Sequence, residues 1–406
     1  MEEVSPEQVK AIYDDLSQPP VQSEEPASVP QIKCLVMKPQ KVGEGINAYV
    51  SYTISFQYPG GDNKTFTRRY SDFDWLHDSL KLDFPQYIIP PLPEKVLFDR
   101  FTSENVEYRR KELERFLNRV MNHPAFPSSN HIKTFMTATE TYMEGERLKP
   151  RSAVPGPIQK KEDEPKGLFE LVGKFSSTIT SVVTRPSVEL KEVDPWFDKQ
   201  RAYVSNVEQH LQVLVDRSNQ NTKKKSEMVS TLEDLAQSAS LACGAEIDID
   251  PELAKYWSKL SEIMGQMSLL TKELAQSETE SFEYQVKDYV RLSTAAKQLL
   301  ENRQAALLRL QVAQADVTVK TEKQEKGKNT SKASALNADL KEATNSLEVS
   351  NSEYNVINES AKKELNTYKD NKSAQVKEAF KDLVTINLNY QLRMANLWKE
   401  LLVDLK

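Results

Sequence analysis

The sequence predicts an α+β domain followed by an all-α region of very long helices, and three observations predict it. Ala48–Phe56 alternates strictly, with Val50, Tyr52, Ile54 and Phe56 on one side and Tyr49, Ser51, Thr53 and Ser55 on the other. That two-residue period is the mark of a half-buried strand. A polar stretch carrying Pro150, Pro155, Pro157 and Pro165 then divides the chain. Past Pro195 the only proline is Pro251, and glycines stand only at 244, 265 and 327 in a background rich in Ala, Leu, Glu, Lys and Gln. Such composition belongs to long helix.

The 406 residues leave room for two or three domains. A net charge of -6 excludes the broad basic face of a nucleic-acid binder, so any anion site must be a local cluster. Cys34 and Cys243 lie far apart with no CxxC, which points to a reducing compartment and away from a zinc module. Met1-Glu2-Glu3-Val4-Ser5 has neither the basic start nor the apolar run of a signal peptide, and no stretch approaches a membrane span. The end, Val403-Asp404-Leu405-Lys406, carries no lipidation box. A soluble cytoplasmic protein is expected.

Residues 1–27, acidic and interrupted by Pro6, Pro19, Pro20 and Pro26, read as a disordered tail. A first strand is expected over 31–39 and a second over 48–56. Pro59-Gly60-Gly61-Asp62 signals a hairpin, and Thr65–Tyr70 returns. On that return Phe66, Arg68 and Tyr70 share a face while Thr67 and Arg69 take the other, so the two arginines cannot both enter one pocket. Ser71 with Asp74 approximates a capping box for a short helix whose stripe is Phe73, Leu76 and Leu80. Ser103 is expected to cap a second helix ending near His123-Pro124, and a last helix is expected over 130–143.

Residues 144–166 read as a linker. Over 167–185 an amphipathic helix is expected, with Leu168, Leu171, Val172, Phe175, Ile179, Val182 and Val183 on one stripe and mostly Ser and Thr opposite. Ser and Thr are poor helix formers, so this segment should fold when its stripe, notably Leu168, Leu171, Phe175 and Ile179, inserts into lipid. Three long helices follow, over about 195–241, 251–320 and 332–405. The first keeps heptad spacing through Val204, Val207, Leu211, Leu214, Met228, Leu232, Leu235 and Ala239, with a polar interruption at Ser218, Asn221 and Lys225. The two later helices, at about 100 Å each, must pack as a coiled-coil-like bundle.

The chemistry gathers at Arg68-Arg69-Tyr70-Ser71-Asp72-Phe73, at Ile89-Pro90-Pro91-Leu92-Pro93-Glu94-Lys95, and at Arg109 in the helix bearing Leu113, Phe116, Leu117 and Val120. Separated basic groups and one aromatic ring can converge on an anionic, ring-shaped ligand, because Arg offers paired planar donors to phosphate and Lys a point charge. In that order the three motifs resemble a PX (phox homology) domain over roughly 28–143, a fold with a three-stranded sheet and helices that binds phosphoinositide head groups. The resemblance implies that Arg69 holds the 3-phosphate, Tyr70 packs its ring on the inositol, Lys95 meets the 1-phosphate and Arg109 the 4- and 5-hydroxyls.

A PX domain, an amphipathic helix and a three-helix coiled-coil bundle over 190–406 together resemble the PX-BAR sorting nexins, and within them the retromer-associated sorting nexins one and two. The resemblance implies a peripheral protein on the cytosolic face of endosomes. Its expected ligands are phosphatidylinositol 3-phosphate or 3,5-bisphosphate in an anionic membrane. Its expected partners are a second PX-BAR chain, identical or related, and the retromer cargo-recognition subunits. Val96-Leu97-Phe98 reads as core or as a membrane-inserting loop. Lys320, Lys323, Lys326, Lys328 and Lys332 read as a solvated turn or a basic tip, and Lys223-Lys224-Lys225 as solvated face or concave membrane face. His77, His123, His131 and His210 lack metal spacing, and no GxSxG, P-loop or carboxylate-pair motif is present, so neither enzyme activity nor a cofactor is expected. The competing reading is a coiled-coil tether without curvature activity, which has no need of the amphipathic segment.

Overall fold

In the computed structural model of the chain, residues 32–45, 48–58, 60–61, 63–95, 101–149, 190–329 and 331–404 are described. The expected tail over 1–27, the linker beyond Lys149, the amphipathic helix over 167–185 and the loop Val96-Leu97-Phe98 lie outside the described residues.

β1 (Lys33–Val42), β2 (Tyr49–Gln57) and β3 (Lys64–Arg69) form an antiparallel meander in the order β1-β2-β3. Gly60 and Gly61 turn the β2–β3 hairpin with φ of 113° and 108°, a region that side chains avoid. The alternation of β2 is realised: Val50, Tyr52, Ile54 and Phe56 are all buried. Five helical pieces follow on this domain: α1 (Tyr70–Asp83), α2 (Ser103–Met121), a 3₁₀ turn (Phe126–Ser128), α3 (Asn130–Thr137) and α4 (Glu140–Leu148). Phe73, Leu76, Leu80, Leu113, Phe116, Leu117, Phe126 and Phe135 close the core over the sheet.

β1 is an edge strand, and α2 satisfies outer backbone groups in its first half, at Cys34 and Val36. Asn118 exchanges hydrogen bonds with the N–H and C=O of Cys34, and Glu114 accepts from the Val36 N–H at 2.9 Å. Arg110 donates to the Val36 carbonyl at 2.6 Å. Over this half the covered edge is closed to pairing with another chain.

Three local expectations are corrected. α1 starts two residues earlier than the Ser71 cap required. Its N-cap is Arg69, and Asp72 accepts from the Arg69 N–H at 2.9 Å. α2 is capped by Thr102, whose hydroxyl accepts from the Asn105 N–H, and not by Ser103. The single last helix over 130–143 is two helices, because Ala138 takes extended ψ of 145° and Thr139 caps a new start.

The helical region comprises α5 (Pro195–Glu246), α6 (Pro251–Glu278), a π-helical turn (Thr279–Glu283), α7 (Tyr284–Gly327) and α8 (Ala333–Asp404). Asp250 caps α6, with Pro251 in its first turn. The π turn interrupts what sequence periodicity reads as one helix, as an inserted residue re-phases the buried stripe. Among the described residues the chain divides into two compact units. One holds 209–290 and 370–404, the other the α+β domain with 190–208 and 291–369. In the first unit, Leu232 of α5, Ile263, Met264 and Met267 of α6, and Met394 and Leu397 of α8 form one apolar cluster. In the second, Ala306, Leu307 and Leu310 of α7 pack on Tyr354 and Ile357 of α8.

Candidate anion-binding site

The end of β3 and the start of α1 set the two arginines apart, as the strand period requires. Arg68 is 4% exposed and is consumed by the fold. It donates to the carbonyls of Phe135 at 2.8 Å, Thr67 at 2.7 Å and Ala138 at 2.7 Å, and lies over the Phe66 and Phe135 rings. Arg69 faces the other way. Its guanidinium lies 4.9 Å from the Tyr49 ring centroid, and its Nε is buried without a hydrogen-bond partner among the described residues. The nearest carboxylate, Glu140 of α4, is 3.7 Å from that Nε.

Tyr70, Lys95 and Arg109 form a second group around one ring. The Tyr70 phenol donates to the Pro93 carbonyl at 2.6 Å, which ties the proline-rich turn to α1. The Arg109 guanidinium stacks 5.0 Å from the Tyr70 centroid, on an α2 position only 8% exposed. Burial pushes the Tyr70 phenol up to about 12 despite the Arg109 charge, so it remains a neutral donor. Lys95 reaches outward, 63% exposed, and pairs with Asp74 of α1 at 3.0 Å. Thus Tyr70, Arg109 and the turn carrying Lys95 are joined by contacts, while Arg69 adjoins them through its neighbour Tyr70 and the start of α1. The unpaired N–H groups of that helix start add partial positive charge beside Arg69.

Sequence reasoning missed the carboxylates and cations behind these residues. Asp72 is fully buried; burial raises its pKa, against the pull of the Arg69 N–H and of Arg147, with which it is paired. Arg147 also donates to Glu140 at 3.1 Å. Both Glu140 and Arg147 lie on α4, and nothing in sequence spacing links that helix to β3. On the helical region, Lys225 pairs with Glu278 and is 16% exposed, so it is turned onto a neighbouring helix. Lys223 and Lys224 stay exposed, as do Lys323, Lys326, Lys328 and Lys332 around the α7–α8 break.

Comparison with known proteins identifies the family of both parts of the chain. The PX domain family matches residues 57–139, and the Vps5 C-terminal-like family matches residues 170–404, more than half of the chain. The chain belongs to the PX-BAR sorting nexins. Sorting nexin 1 of Arabidopsis thaliana is 30% identical over 289 residues, covering 69% of each chain. Sorting nexin-1 of Mus musculus is 25% identical over 392 residues, 91% of this chain and 71% of that one. Sorting nexin-2 of Homo sapiens is 23% identical over 418 residues, 97% of this chain and 76% of that one. A cryo-EM structure of the SNX-BAR Mvp1 tetramer shares the fold, with a TM-score of 0.66 at 16% identity over 91% of this chain and 100% of that one. PX-BAR sorting nexins are non-enzymatic adaptors that bind and tubulate membranes in endosomal sorting. Their PX domain implies phosphoinositide binding and their BAR region implies dimerisation. They are peripheral proteins, and no helix among the described residues of this sorting nexin is long and apolar enough to cross a membrane.

Proposed function

We propose that this sorting nexin recognises a 3-phosphorylated phosphoinositide, phosphatidylinositol 3-phosphate or 3,5-bisphosphate, on the cytosolic face of endosomes. Arg69 takes the 3-phosphate, Tyr70 stacks on the inositol, Arg109 meets the 4- and 5-hydroxyls and Lys95 the 1-phosphate. The observation that carries this reading is the contrast between the two arginines. Arg68 donates from all three of its nitrogens to backbone carbonyls, whereas Arg69 keeps a buried donor without a hydrogen bond beside a helix start. A buried guanidinium N–H left unsatisfied costs stability, and an incoming phosphate relieves that cost. The PX domain is proposed to span 28–143, the linker 144–166, the membrane-inserting helix 167–185 and the BAR domain 190–406.

The BAR domain is proposed to pair with an identical or related chain, in an assembly that serves the retromer cargo-recognition subunits. In support, the unit holding 209–290 and 370–404 leaves many large apolar side chains exposed, among them Leu235, Leu241, Ile249, Phe380, Trp398 and Leu402. Apolar exposure gathered in one region marks a surface that another chain covers. Calorimetric titration with soluble inositol 1,3-bisphosphate tests the site. Binding to wild type and none to a folded Arg69→Ala variant is the expected result, and equal affinity in both removes Arg69 from the site.

A further inference from the structure

Arg291 stands near the start of α7, and its guanidinium reaches the PX domain within the same compact unit. Its partners there include Tyr108, Glu94 and Glu112. Nη1 donates to the Tyr108 phenol at 2.8 Å and lies 3.3 and 3.4 Å from the two carboxylate oxygens of Glu94. Nη2 pairs with Glu112, whose side chain is 3% exposed. Each partner flanks a residue of the proposed site. Glu94 precedes Lys95, Tyr108 precedes Arg109, and Glu112 lies one turn beyond Arg109 on α2. The helical region therefore grips, from behind, both arms of the site: the turn that bears Lys95 and the helix that bears Arg109.

We infer that Arg291 is a positioning residue for the phosphoinositide head group, so that the affinity of the PX site depends on a side chain of the BAR domain. The inference rests on the head-group reading of Arg69, Tyr70, Lys95 and Arg109. Two physical effects support it. The proline-rich turn is fixed at Pro93 by the Tyr70 phenol, and Arg291 holds the next residue, Glu94, so Lys95 leaves the turn from two fixed points. Glu94 is also a carboxylate beside an anion site, 61% exposed, and Arg291 neutralises it. Without that cation Glu94 repels the incoming phosphate at short range, where screening by salt is incomplete. Glu112 keeps Arg115 at 2.7 Å, so loss of Arg291 does not strand it.

A merely structural strap makes a different prediction: its loss lowers the melting temperature and leaves head-group affinity alone. The full-length protein, titrated with short-chain phosphatidylinositol 3-phosphate, separates the two. Arg291→Gln should weaken binding about tenfold, the range of one coupled contact in a network. Arg291→Lys, which keeps the charge, should bind within about threefold of wild type. Adding Glu94→Gln to Arg291→Gln should restore much of the loss, because the stranded carboxylate is gone. Melting curves of the single and double variants are recorded beside the titrations, and a recovery of affinity without a recovery of melting temperature reads the charge effect. Wild-type affinity in Arg291→Gln, beside no binding in Arg69→Ala, overturns the inference and leaves the head-group site standing. Wild-type affinity in Arg69→Ala overturns both.

Discussion

At the scale of residues, two adjacent arginines have opposite employments, and substitution should tell them apart. Arg68→Ala removes three hydrogen bonds from a buried guanidinium to backbone carbonyls and should cost roughly 3–5 kcal/mol of stability, the range for breaking a buried charged network. Arg69→Ala breaks no side-chain hydrogen bond among the described residues and should change stability by under about 1 kcal/mol while abolishing head-group binding. Urea denaturation of both variants checks the first half; a destabilised Arg69→Ala with a stable Arg68→Ala would reverse the assignment. This division was legible in the sequence, because strand alternation already sends Arg68 and Arg69 to opposite faces. The partners of Arg69 and Arg291 were not legible. Glu140 and Glu94 meet them only through tertiary packing, which no local period encodes.

At the scale of elements, the segment leading into α5 is held by one buried cation. Arg303 of α7 is fully buried, donates to both oxygens of Glu192 at 2.6 and 2.9 Å, and lies 3.6 Å from the Phe197 ring centroid. Burial alone pushes the Glu192 carboxyl up, but Arg303 and the backbone N–H groups of Asp194 and Val193 outweigh it and hold the pKa below the usual value. A carboxyl with a depressed native pKa binds fewer protons folded than unfolded. Its contribution is therefore present above the unfolded value of about 4.3 and lost as pH falls through the native one. Stability of Glu192→Gln should accordingly fall less steeply than wild type below about pH 4.5; parallel curves by acid titration of the far-UV signal would refute the role given to this pair. The long helices themselves were plain from composition and heptads. The α2 cap was misplaced by one residue because Thr102 and Ser103 are both competent caps, and the α1 cap by two because Asp72 receives the Arg69 N–H in place of a Ser71 cap. The π turn was missed because it shifts phase without changing composition.

At the scale of the whole molecule, the heptad positions of α5 sort into two classes. Val204, Leu232 and Ala239 are buried within the chain, while Met228 and Leu235 are 46% and 51% exposed. The sequence marks all of them as seam, and one chain covers only part of that seam. We propose an obligate dimer burying more than about 2,000 Å², and light scattering at micromolar concentration should show no monomer. Residues 167–185 are proposed to add insertion to this scaffold, since apolar burial yields about 25 cal/mol per Å² and Lys174 is nearly the only charge on the polar side. Phe175→Glu with Ile179→Glu should keep the dimer and head-group binding yet form few tubules on large liposomes by electron microscopy; tubules as dense as wild type would assign curvature to the helices alone. The central claim is that membrane recruitment is read from the head group through Arg69. Co-sedimentation of the full-length protein with liposomes of matched net charge, varied only in phosphoinositide, tests it most directly. The account predicts pelleting with 3-phosphorylated lipids that Arg69→Ala eliminates. Equal pelleting on every anionic liposome, or an Arg69→Ala variant that pellets like wild type, would contradict it.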